Sequence, residues 1–138
     1  MKHVVDMAWF DKVAFETELL GHRIVVDAFE KEGGSNLGPS PKRLMLTALA
    51  GCTGIDVIMI LKKMKVEPEA FNVIVEADVT EEHPKHYNKM KVIYQFKGKN
   101  LPMDKLEKAV TLSETKYCGV TAVYKKAMQI DTEIRVVD

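Results

Sequence analysis

Two cysteines, Cys52 and Cys118, are the residues of this chain best suited to redox chemistry. A thiolate is a nucleophile, and two thiols that meet can be oxidised to a disulfide. Cys52 lies in LAGCTGID, near the middle of a predicted long helix, and Cys118 lies in SETKYCGVTAV, at a predicted junction between helices. A cysteine on an apolar helix is also commonly a small buried hydrophobe, and a short apolar turn would equally explain Cys118. The two residues alone leave both interpretations open.

The composition narrows the class of protein. Lys plus Arg and Asp plus Glu are balanced at 20 each, so no charge excess points to a nucleic-acid partner. Two cysteines are too few for the disulfide framework of a small secreted protein, and the opening MKHVVDMAWF lacks the apolar run of a signal peptide. We therefore expect a cytoplasmic protein with reduced thiols.

Candidate ligands for a metal or a cofactor are sparse in the sequence. A zinc site needs three or four converging ligands, and among the histidines only the segment HPKH has a suggestive spacing, which a solvated turn explains as well. The segment EGGSNLGPSP contains glycines but has neither the Walker nor the GxGxxG pattern. We expect no metal and no cofactor.

A long helix is predicted from Pro41 to about Lys65, and its central part carries one formal charge, Asp56. A membrane span is disfavoured, because an aspartate near the bilayer centre costs about 2.5 to 3.5 kcal/mol. A helix that is apolar on nearly all sides is instead one surrounded by protein, which in so short a chain indicates a second subunit. Gly51 and Gly54 each weaken a helix by roughly 1 kcal/mol relative to alanine, so we expect something to approach closely there.

The other elements that position the cysteines follow from periodicity. Short strands from Val4 to about Asp27 predict an antiparallel meander, and the alternating segments FNVIVEADVT and NKMKVIYQFKG predict a hairpin. The segment MDKLEKAVTLSETKY predicts an amphipathic helix, VTAVYKKAM a shorter one, and IDTEIRVVD a closing strand. This order indicates an α+β fold in a single domain, residues 1–138.

The segment GPSPKRLMLTALAGCTGIDVIMILKKMKV, with the later CGVT, resembles the signature of the OsmC/Ohr family of thiol peroxidases. The matching residues are Gly38 to Pro41 before the helix, Cys52 on it, and Cys118 followed by Gly119, Val120 and Thr121. The resemblance spans essentially the whole chain and is strongest to the branch with GGCTxID-like motifs.

The resemblance implies a fold and an activity. The fold would be antiparallel sheets packed around a long central helix, in an intertwined homodimer with its active sites at the subunit interface. Cys52 would attack the O–O bond of an organic hydroperoxide and become a sulfenic acid, and Cys118 would condense with it to a disulfide. A dithiol reductant would complete the cycle, with no cofactor or metal. The alternatives are a dimer of the same fold that binds a small apolar ligand or senses redox state, and a purely structural dimer.

One departure from the family pattern concerns thiolate activation. The resemblance places a glutamate ten residues before the first cysteine, paired with an arginine that stabilises the thiolate, and this chain has Lys42 there. A nearby cation is needed to favour the thiolate. The sequence offers Lys42 itself, Arg23 in the N-terminal strands, and Lys31 as a weaker substitute.

Overall fold

The structure, a computed structural model, describes residues 1–138. It confirms the predicted α+β class, with two three-stranded sheets and a long helix. The chain forms two compact units, Met1–Met45 and Leu46–Asp138. The single-domain organisation stays a prediction.

The first unit contains the predicted antiparallel meander. Strands β1 (Ala8–Asp11), β2 (Ala14–Leu19) and β3 (His22–Val26) pair in chain order. The β2–β3 connection turns at Leu20 and Gly21, whose φ angles of +52° and +84° lie in the left-handed region. Glycine supplies this conformation without strain, which fixes the hairpin register.

Asp27 organises the loop that follows β3. Its carboxylate accepts backbone N–H groups from Ala28 at 2.7 Å, Ser35 at 3.2 Å and Leu37 at 3.0 Å. These hydrogen bonds, led by that of Leu37, lower the pKa of Asp27. A glycine-rich segment with little apolar surface is thereby held in one conformation.

The long helix α1 (Leu44–Lys63) follows a single 3₁₀ turn at Pro41–Arg43. One face of α1 is fully buried by residues four apart, namely Leu49, Thr53, Val57 and Leu61. By length and composition the segment Pro41–Lys63, with a mean hydropathy of 2.1, is apolar enough to cross a membrane, a test that core helices also pass. Only 22% of its most apolar window is buried. The expectation that protein surrounds the helix is therefore not met within one chain.

The second sheet consists of β4 (Ala70–Val79), β5 (Tyr87–Lys97) and β6 (Gln129–Val137), in that order. The hairpin β4–β5 is antiparallel, as predicted. The expectation of purely antiparallel sheets is wrong at β6, which runs parallel to β5 from Lys89 opposite Gln129 to Lys97 opposite Val137. The reason is that a helical crossover returns the chain to the start of β5 before β6 begins.

The crossover contains α2 (Met103–Leu112), one turn of π-helix at Ser113–Tyr117, and α3 (Gly119–Tyr124). The single amphipathic helix predicted up to Tyr117 thus changes its winding at Ser113. The core of this unit lies between α1, α2 and the second sheet, and its largest fully buried apolar side chains are Leu49, Val57, Leu61, Met90, Val92, Tyr94, Phe96 and Leu106. This packing positions the segment that carries Cys118 beside α1.

Candidate active site

Both predicted site cysteines meet in the second unit. The Sγ atoms of Cys52 and Cys118 and a carboxylate oxygen of Asp56 all lie within 4.8 Å of one another. Cys52 and Asp56 are one helical turn apart on α1, and Cys118 joins the π-helical turn to α3. Both cysteines are free thiols in this structure.

Cys118 is held by its backbone and by its sulfur. Its N–H donates to the Ser113 carbonyl oxygen at 2.7 Å, and its Sγ accepts the N–H of Thr121 at 3.3 Å. The side chain is buried, with 3% of its surface exposed. The predicted position at a helix start is confirmed, and the sulfur receives a hydrogen bond there.

Cys52 is half-buried, and its surroundings raise the pKa of its thiol. Burial is the largest cause, followed by the hydrogen bond with Cys118, and the charges of Cys118 and Asp56 act in the same direction. The backbone N–H of Val120 donates to the sulfur and opposes the shift. Within this unit the thiol is therefore favoured over the thiolate.

Asp56 is a site residue that sequence reasoning missed. Its Oδ2 accepts the hydroxyl of Ser113 at 3.0 Å, which ties α1 to the segment leading to Cys118. In the sequence, this single charge in the central part of the helix argues only against a membrane span. Its spacing of four residues from Cys52 was a usable signal, because such residues share a helix face.

A polar network next to the site fixes the π-helical turn. The Tyr94 hydroxyl donates to Glu114 Oε1 at 2.9 Å, and the Thr132 hydroxyl contacts both carboxylate oxygens at 2.8 and 2.9 Å. The Lys125 ammonium donates to the Glu114 carbonyl oxygen at 3.0 Å. Burial and the adjacent carboxylate raise the pKa of Tyr94 far above its usual range, so it remains a donor. Nothing in the sequence predicted this network.

The two glycines beside Cys52 differ in their surroundings. A Cβ on Gly54 would lie 3.2 Å from Val73 Cγ2 of β4, which confirms the expected close approach at that position. A Cβ on Gly51 would meet nothing within 4 Å in this chain. No part of this chain therefore makes the expected close contact with Gly51.

The three cations considered for thiolate activation all lie in the unit Met1–Met45. Arg23 donates through Nε to Glu16 at 2.9 Å and lies over the Phe10 ring at 5.7 Å. Lys31 and Lys42 lie on the short 3₁₀ turns Glu30–Glu32 and Pro41–Arg43. That one of them acts on Cys52 stays a prediction.

The chain is thus an α+β protein with a pair of neighbouring thiols. One thiol lies on a long helix and the other at the start of a short helix. Residues 33–133 match the family model described as OsmC-like protein. The chain belongs to this family.

Several known proteins are similar to this chain over nearly its full length. The chain is 30% identical over 130 residues to Protein YhfA of Escherichia coli strain K12, which covers 94% of each. It is similar to the crystal structure of a hypothetical protein from Aquifex aeolicus VF5, with a TM-score of 0.86, 28% identity, and coverage of 99% and 98% of the two chains. An organic hydroperoxide resistance protein from Elizabethkingia anophelis shares the fold, with a TM-score of 0.68, 11% identity and 99% coverage of both.

Proposed function

We propose that the protein is a thiol-dependent peroxidase that reduces organic hydroperoxides, with Cys52 as the attacking thiol and Cys118 as the resolving thiol. The observation that carries the proposal is the approach of the two sulfurs to within 4.8 Å. A disulfide requires an S–S bond of about 2.05 Å, so side-chain rotation must close the remaining gap. The name of the Elizabethkingia anophelis neighbour, an organic hydroperoxide resistance protein, supports the substrate class.

The proposed reaction balances in three steps. The Cys52 thiolate attacks the terminal oxygen of the hydroperoxide, so that an S–O bond forms as the O–O bond breaks and Cys52 becomes a sulfenic acid. The alkoxide takes up a proton and leaves as an alcohol. Cys118 then attacks the sulfenic sulfur of Cys52, giving a disulfide and water. An external dithiol exchanges with this disulfide and restores both thiols while becoming oxidised itself.

Thiolate formation is the demanding part of this scheme. Burial, Cys118 and Asp56 together raise the pKa of Cys52, and the hydrogen bond from the Val120 N–H counters them only in part. The proposal therefore requires a cation near Cys52 during turnover. Lys42 and Arg23 remain the proposed sources of this cation. Lys42→Ala and Arg23→Ala should each be compared with wild type for the pH at which Cys52 becomes reactive.

We propose that a second copy of this chain covers the exposed apolar face of α1. Ile55 and Met59 are 62% and 56% exposed, and Ile58 and Gly51 lie on the same side of the helix. At 100° per residue, the Cys52 side chain lies at the boundary between this exposed face and the buried face of the helix. A homodimer formed here would place the thiols at its interface. Ile55→Glu should halve the mass measured by sedimentation, and an unchanged mass would contradict this interface.

The peroxidase is tested by mixing reduced protein with cumene hydroperoxide or with hydrogen peroxide and following thiol loss. Wild type should react rapidly and faster with the organic peroxide, and Cys52→Ser should not react. In Cys118→Ser a dimedone-type probe should trap the sulfenic acid on Cys52. Wild-type thiols that react no faster than free cysteine would overturn the proposal.

The second candidate is a redox-sensing or apolar-ligand-binding dimer of the same fold. The raised pKa of Cys52 favours it, because a protonated thiol reacts slowly with peroxide. Slow thiol loss that ends in the Cys52–Cys118 disulfide, without turnover by dithiols, would select this candidate. The predicted cytoplasmic location is compatible with both and stays a prediction.

A further inference from the structure

The sequence alone predicts no metal site, but the folded chain brings three possible ligands together. We propose that the reduced cluster of Cys52, Asp56 and Cys118 binds a thiophilic divalent cation of the Zn²⁺ type. Two sulfurs and a carboxylate oxygen already lie within 4.8 Å of one another. Zinc bonds of about 2.3 Å to sulfur and 2.0–2.2 Å to oxygen imply ligand separations of about 3.6–3.8 Å in a tetrahedron. Side-chain rotations that bring the atoms roughly 1 Å closer would therefore complete three coordination positions, leaving the fourth for water.

Each candidate ligand atom already receives a hydrogen bond. The N–H groups of Val120 and Thr121 donate to the sulfurs of Cys52 and Cys118, respectively, and the Ser113 hydroxyl donates to Asp56. All three donors come from one segment, Ser113–Thr121. Outer donors of this kind orient metal ligands and compensate their negative charge. The three candidate ligands are thus each held by a hydrogen bond from the same segment.

The chemistry of the ligands selects the ion. Two thiolates favour Zn²⁺ and similar borderline or soft ions over Mg²⁺ and Ca²⁺, which prefer oxygen ligands. Oxidation to the Cys52–Cys118 disulfide would remove two of the three ligands, so binding reports the redox state of the pair.

This site goes beyond the proposed peroxidase and does not depend on it. A bound cation would occupy both sulfurs and withhold them from peroxide and from each other. The metal-loaded protein is then a reduced, protected form. Binding is measured without any peroxide, so a protein that binds zinc but reduces no hydroperoxide would refute only the peroxidase.

The test is equilibrium dialysis of the reduced full-length chain against ZnCl₂, with Co²⁺ as a spectroscopic probe of thiolate coordination. Wild type should bind one Zn²⁺ per chain and show thiolate-to-cobalt charge-transfer absorption. Cys52→Ser and Cys118→Ser should each lose that absorption or most of its intensity. Protein oxidised to the disulfide should bind none.

Asp56 is tested against a matched carboxylate. Asp56→Asn should weaken Zn²⁺ binding more than tenfold, whereas Asp104→Asn, an exposed aspartate on α2, should leave it unchanged. Ser113→Ala keeps all three ligands and should weaken binding by about 10-fold, within the range for outer-contact changes. Circular dichroism verifies that each variant is folded. Zinc binding that persists in folded Cys52→Ser, or that is equal in wild type and Asp56→Asn, would overturn the proposal.

Discussion

Replacing Tyr94 by phenylalanine tests whether the polar network beside the site holds the fold together. The change removes one hydroxyl from a fully buried ring and deletes its 2.9 Å hydrogen bond to Glu114. A hydrogen bond to a charged group contributes about 1.5–3 kcal/mol. Glu114 keeps its two contacts with Thr132, so the carboxylate is not left without partners. We therefore expect the free energy of unfolding to fall by about 1.5–3 kcal/mol.

The assay is urea unfolding followed by circular dichroism at one fixed protein concentration, because association would shift the apparent stability. For a chain of this size the loss corresponds to a decrease in Tm of roughly 5–12 °C. Tyr117→Phe is the matched control, because it removes the same hydroxyl from a tyrosine that is 54% exposed. It should change the free energy of unfolding by less than about 0.5 kcal/mol.

A loss below about 0.5 kcal/mol in Tyr94→Phe would refute the reasoning, since it would equal an ordinary surface substitution. A double-mutant cycle of Tyr94→Phe with Thr132→Val measures the coupling between the two hydroxyls that bond to Glu114. If Tyr94 and Thr132 act through the same carboxylate, the two losses should not be additive. Additive losses would show that the two hydroxyls act independently of each other.

Three further changes test the site and the scaffold. Asp56→Asn removes a charge that raises the pKa of Cys52, so alkylation of that thiol by iodoacetamide should begin at a lower pH than in wild type, and an unchanged profile would contradict the assignment. The Asp27 carboxylate has a lowered pKa in the folded protein. Its contribution to stability is therefore present above its unfolded pKa and is lost as the pH falls through its folded pKa. The free energy of unfolding should accordingly fall less on acidification in Asp27→Asn than in wild type. Leu61→Ala should lower the free energy of unfolding by about 2–5 kcal/mol in urea titrations, because the side chain is fully buried, and a loss below about 1 kcal/mol would contradict that packing.

Local periodicity was sufficient to predict most elements of the fold. Alternation along β4 and β5 predicted the hairpin, because each strand has one face that is more buried than the other. The direction of β6 was not predictable in this way, since strand periodicity is identical in parallel and antiparallel pairs. The change of winding at Ser113 was also hidden, because no glycine or proline marks it.

The residues of the candidate site were also predictable only in part. The chemistry of thiols was enough to single out Cys52 and Cys118, but their roles came from resemblance to the OsmC/Ohr family. Their approach required the folded chain. Asp56 escaped because a single charge in an apolar helix has several explanations. Its contact with Ser113 joins residues 57 positions apart, which no local pattern reports.

The charges around Cys52 connect the two proposals. A carboxylate beside a thiol disfavours the thiolate, so Asp56 alone hinders peroxide chemistry. Asp56 becomes useful once a cation lies between it and the sulfurs, because the carboxylate then orients that cation while the cation stabilises the thiolate. A protein cation such as Lys42 or Arg23 would activate Cys52 and leave its sulfur open to peroxide, whereas Zn²⁺ would stabilise the same thiolate and block it. The two proposals together predict that these cations compete for one cluster, so added Zn²⁺ should slow peroxide-dependent thiol loss in wild type more than in Asp56→Asn.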